Sequence, residues 1–142
     1  MRDKKEVEKL LITMRGDYLE KLPEKIEVIA NTLHALAESK QNQCGLYDEM
    51  YRAVHNIKGT AGTYGLHVIS TVCHQFEIYL NENPVTPAFR DAGFFEMSKK
   101  YIAIILHAID HCTHDLQDSY PDINQRLNDL ELTREGGDKK IF

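Results

Sequence analysis

The chain has 142 residues, of which 27% are charged and 42% hydrophobic, the balance of one globular domain with a single substantial core. Its formal net charge is −5 with no dense Lys/Arg block, which argues against nucleic acid as the main partner. The longest apolar run, YIAIIL, is far too short to span a bilayer, and the charged MRDKKEVEK start has no apolar segment behind it. Cys44, Cys73 and Cys112 are widely spaced without a CxxC pair, so reduced thiols and a cytoplasmic setting are expected, with no membrane partner.

In chain order almost everything reads as helix. Val7, Leu10, Leu11 and Met14 recur at helical spacing, predicting a short accessory helix over about 3–15, ended by Gly16. Asp17, with Glu20 three residues on, predicts the cap of the next helix, and Leu22, Ile26, Ile29, Leu33 and Leu36 form its apolar stripe. Pro23 should kink that helix or delay its start by a turn. SKQNQCG reads as a loop. A second bundle helix follows from about Leu46 to Tyr64, with Met50, Ala53, Val54, Ile57, Ala61 and Tyr64 inward and Gly65 at its end.

The third helix begins at once, its seam drawn from Leu66, Ile69, Cys73, Phe76 and Leu80. So short a connection predicts antiparallel neighbours. Beyond NENPVTP, Thr86 and Pro87 are the expected cap and first residue of a fourth helix, which runs to about Leu116 with Tyr101, Ile105, Ala108, Ile109 and Cys112 inward. Ile123, Leu127 and Leu130 suggest a short extension, and TREGGDKKIF a linker-like tail. The expected fold is all-α: an antiparallel up-down four-helix bundle over about 17–117, within a domain of 1–118, with short extra helices at both ends.

Within AVHNIKGTAGTYGL, residues 53–66, two glycines interrupt a helix interior, each costing roughly 1 kcal/mol relative to alanine. Advancing 100° per residue from Ile57 puts His55 on the outer face, with Gly59 and Gly62 at i+4 and i+7. Asp48 and Arg52 continue that surface, and Lys58 flanks it. A lone surface histidine is ordinarily a solvated residue. Two glycines with no packing reason to be there instead leave a notch beyond an exposed imidazole, which another molecule can approach closely.

The run H-N-I-K-G-T-A-G-T-Y-G-L resembles the signature of histidine-containing phosphotransfer (HPt) domains, approximately H-x-[IL]-K-G-[AST]-[AS]-x-x-x-G-L. His55, Ile57, Lys58, Gly59, Thr60, Ala61, Gly65 and Leu66 fall in register. YLEKLPEKIEVIANTL is similar to the family's usual first bundle helix. The resemblance implies a phosphocarrier, not a kinase, in which His55 accepts a phosphoryl group from one receiver-domain aspartate and passes it to another. Lys58 then stabilises phosphate charge, while Gly59, Gly62 and Arg52 belong to the docking surface. Partners would be receiver domains and, through them, a sensor histidine kinase. No cofactor is expected on this chain, the Mg²⁺ lying in the receiver, and a monomer is expected. Many relatives have glutamine where Glu77 stands; Glu77 either orients the imidazole or points to solvent.

Three other readings compete with this one. A kinase dimerisation domain usually carries H-[ED]-x-R-x-P, but Asn56, Lys58 and Thr60 occupy those positions. His107, His111 and His114, at i, i+4 and i+7, have metal-compatible spacing with Asp110 or Asp115 nearby. They project away from the core stripe with no ligand nameable on another helix, so a solvated face and no metal are expected. A non-catalytic helical interaction module is the third. His34, His67 and His74 show no partner pattern. The terminal KKIF resembles the start of a receiver's first strand, which would make this chain part of a longer HPt–receiver protein; the alternative is an ordinary frayed tail.

Overall fold

The computed structural model describes residues 3–39, 41–84, 92–114 and 121–139, without the side chains of 113, 114 and 133–139. These residues form five helices: α1 (Lys4–Glu38), α2 (Gln43–Thr63), α3 (His67–Glu82), α4 (Ala92–His114) and α5 (Pro121–Lys139). There is no strand among them. Helix α1 packs on α2 and α4, α3 packs on α2 and α4, and α5 packs on α4. The expected start of the fourth helix at Thr86 and Pro87, its end at Leu116, and the end of the KKIF tail lie outside the described residues.

The apolar stripes meet in one core. Leu22, Ile26 and Leu36 from α1, Met50, Val54 and Ala61 from α2, Ile69, Cys73 and Phe76 from α3, and Tyr101, Ile105 and Ala108 from α4 are closed to solvent. Phe76 and Tyr101 stack at 5.1 Å between centroids, joining α3 to α4 near the middle of that core.

Three local expectations are corrected. The accessory helix and the first bundle helix are one continuous α1, capped by Asp3, whose Oδ1 accepts the Glu6 amide at 2.9 Å; Asp17 is not a cap. The helix runs through Gly16 and Pro23. Proline removes one internal hydrogen bond at a cost of about 3 kcal/mol, but buried side chains on both sides of it, Tyr18, Leu19 and Leu22 before and Ile26 and Ile29 after, fix the helix in place. The stripe of Val7, Leu10, Leu11 and Met14 is exposed. Second, α2 begins at Gln43, inside the expected loop, after Asn42 in the left-handed conformation. Third, the TREGGDK stretch continues α5 as helix to Lys139.

Between α2 and α3 the chain turns through one glycine. Gly65 has φ +76, and the Leu66 amide donates to Ala61 O at 2.8 Å while the Gly65 amide donates to Gly62 O at 3.1 Å. This is the paired closure that ends a helix with a left-handed residue. Leu66, fully buried, seats the turn, so α3 is laid directly against α2.

Candidate functional site

On α2, Tyr51, His55 and Lys58 lie at i, i+4 and i+7 and therefore share a face. That face meets α3 at Glu77, which is 8% exposed. Glu77 Oε1 accepts from the Tyr51 hydroxyl at 3.0 Å and faces His55 Nδ1 at 3.0 Å; Oε2 lies 2.6 Å from Lys58 Nζ. The Tyr51 and His55 rings stack at 6.3 Å, and Asn81 Nδ2 donates to the Tyr51 hydroxyl at 3.2 Å. One turn along the seam, the Ser70 hydroxyl donates to Lys58 O at 2.9 Å.

The charge state of Glu77 follows from its partners. Burial pushes its carboxyl up, but hydrogen bonds from Lys58, His55 and Tyr51, together with the Lys58 charge, outweigh burial and hold it below the ordinary 4.5. Ionised at neutral pH, it only accepts hydrogen bonds. The proton between it and His55 is therefore assigned to Nδ1. In a neutral imidazole this leaves the lone pair on Nε2. His55's side chain is 56% exposed, and Nε2 has no partner among the described residues. The ring is thus held by one nitrogen on a buried carboxylate, with its other nitrogen left open.

Beneath the site, burial first and then the Glu77 charge push the Cys73 thiol up to about 12, so this buried sulfur is not a nucleophile.

Gly59 is exposed, and a Cβ there would meet nothing within 4 Å. It lines two shallow hollows at once, one with Lys58, Gly62, Ser70 and His74, the other with His55, Asn56, Thr60 and Thr63. Gly62 is only half-exposed, and its Cβ would sit 3.5 Å from Ser70 Oγ on α3. The outward projection of Gly62 is thus corrected: it lies at the α2–α3 seam. Arg52 is exposed on the same helix. Glu77 does not point to solvent. Tyr51 is the residue that sequence reading missed; its spacing of four from His55 was the available signal.

A family model described as "Hpt domain" matches residues 13–136 of the chain. The chain belongs to the Hpt domain family. Neither the curated proteins nor the solved structures gave a match. Hpt domains act in phosphotransfer within two-component systems, as phosphocarriers rather than kinases, and interact with receiver domains. No helix among the described residues is long and apolar enough to cross a membrane.

The histidines of α4 fall elsewhere. His107 and His111 are half-buried where α4 meets α5, not turned to solvent as projected. A partner on another helix exists in Asp122 of α5, whose Oδ2 is 3.0 Å from His107 Nε2. The side chain of His114, and Asp115 altogether, lie outside the described residues.

Proposed function

We propose that this Hpt domain relays a phosphoryl group between receiver-domain aspartates through a phosphohistidine at His55 Nε2. The contact from His55 Nδ1 to buried Glu77 carries the reading, because it selects the nucleophilic nitrogen and fixes its direction. In transfer, the Nε2 lone pair forms the bond to phosphorus while the bond from phosphorus to the aspartyl oxygen breaks, its electron pair remaining on the receiver's carboxylate. No proton need leave: Nδ1 keeps its hydrogen, and the ring becomes a phosphorylated imidazolium. Glu77 faces that new positive charge at hydrogen-bond distance. The return step reverses each bond change, with a cationic ring as the leaving group.

Lys58 shares with His55 its contact to Glu77, on which its ammonium rests. Its flexible stem allows the ammonium to be shared with a phosphoryl group on His55. The open space at Gly59 lets a receiver approach to the roughly 3 Å that in-line transfer requires. The Mg²⁺ that neutralises phosphate charge is supplied by the receiver's acidic pocket. An antiparallel up-down bundle of α1 to α4 is the arrangement that best suits the cyclic packing of these helices.

Incubation with a phosphorylated receiver domain tests the assignment. Wild-type protein should acquire an acid-labile label, and His55→Gln should acquire none while keeping its helical circular dichroism. Undiminished labelling of the variant would overturn it.

A further inference from the structure

We propose that His107, His111 and Asp122 form a binding site for one divalent transition-metal ion of the zinc class, tying α4 to the first turn of α5. The three donor atoms converge on one point. His107 Nε2 lies 3.0 Å from Asp122 Oδ2 and 3.2 Å from His111 Nε2, and His111 Nε2 lies 3.6 Å from Asp122 Oδ2. Zinc bonds of about 2.0–2.1 Å to nitrogen and 2.0–2.2 Å to oxygen, tetrahedrally disposed, put neighbouring donors about 3.3–3.5 Å apart. The observed separations bracket that edge length, so the three atoms occupy one face of a tetrahedron.

Protons alone serve this group badly. A neutral imidazole nitrogen has either a proton or a lone pair. If His107 Nε2 carries the proton, one hydrogen faces both Asp122 and His111; if it carries the lone pair, that lone pair faces the carboxylate. A dication removes the conflict, since all three atoms then offer lone pairs to the same centre. Two imidazoles and one carboxylate suit zinc, cobalt or nickel rather than magnesium or calcium.

The fold positions these donors before any metal arrives. His107 and His111 share a face of α4 one turn apart, with ring centroids 4.5 Å apart. Asp122 is set by its neighbour Ile123, which is closed to solvent, and by Leu127 and Leu130 further along α5. At the far end of the same seam, the Tyr101 hydroxyl donates to Glu131 at 2.7 Å. Asp122 remains half-exposed, which leaves an entry path and room for solvent to complete the coordination.

Tag-free full-length protein titrated with Zn²⁺ against a chelating dye should bind one equivalent. His107→Ala and Asp122→Asn should each weaken that binding at least about tenfold with unchanged helical circular dichroism, whereas Cys44→Ser and His55→Gln should not. Affinity unchanged in His107→Ala and Asp122→Asn, or lost in Cys44→Ser, overturns the site. A second measurement needs no variant: Zn²⁺ should shift the Nε2 resonances of His107 and His111 in ¹⁵N-labelled wild type, and unmoved resonances overturn it. The site uses none of the α2 and α3 residues around His55, so its failure leaves the phosphorelay reading untouched.

Discussion

Glu77 gathers three donors from α2 onto one buried carboxylate, and each of the three matters differently. Glutamine there retains an oxygen to accept from His55 Nδ1, whereas leucine offers none. Glu77→Gln should therefore still accept phosphate. Glu77→Leu should slow transfer roughly ten- to a hundredfold, the worth of one hydrogen bond to a charged group at about 1.5–3 kcal/mol. Rapid-quench kinetics with one phospho-receiver separates the two variants. The same carboxylate makes a prediction about acid stability. Its folded value lies below the ordinary 4.5, so its contribution is fully present above that pH and is lost as pH falls through the lower, folded value. Wild type should thus lose stability relative to Glu77→Gln on acidification from pH 7 to below 4.5, measured by urea unfolding at each pH; a constant difference would show that the pairing is not retained in solution.

Helix α2 carries two glycines whose roles differ with their surroundings. At Gly59 an added side chain enters open space, so Gly59→Leu should leave stability unchanged or raise it by up to about 1 kcal/mol. The same bulk should keep a receiver's aspartate away from His55 and abolish transfer. Thermal unfolding and phosphotransfer measured on one preparation check both halves. At the end of the helix, Gly65 holds φ +76, where an L side chain costs about 1–2 kcal/mol. Gly65→Ala should destabilise the protein by that amount in denaturant titration. Because the turn sets the register of α3 on α2, it should also slow transfer by loosening Glu77 from His55.

Across the whole molecule, α5 is an integral layer of the fold. Ile123 is fully buried, and Leu127 and Leu130 are nearly so, although the helix beyond them is polar. Ile123→Ala should cost about 2–5 kcal/mol by chemical denaturation, the range for truncating a buried aliphatic side chain. A smaller effect would mean that α5 opens independently of the other four helices.

Much of this organisation was legible along the chain because it repeats at helical spacing. The inward stripes of α2, α3 and α4 and the outward placement of His55 and Gly59 follow from about 100° of turn per residue, and the glycine that ends α2 from its ease at positive φ. Local signals misled at Gly16, Asp17 and Pro23, which mark a helix boundary by propensity; at Pro23, burial of α1's stripe on either side outweighs the signal. What no periodicity reports is the register of one helix against another. Only packing brings Glu77 of α3 to the ring of His55 and to Lys58, draws Tyr51 into the same group, and sets Gly62 against Ser70. The same is true of Asp122, fifteen residues beyond His107, which meets it because Ile123 seats α5 in the core. The sequence alone determined the helical class, the inner faces of the bundle helices and the exposed imidazole, because these depend on neighbours within two turns. Tertiary structure decided which nitrogen of that imidazole is held and which is left open, because the carboxylate that holds it stands on another helix.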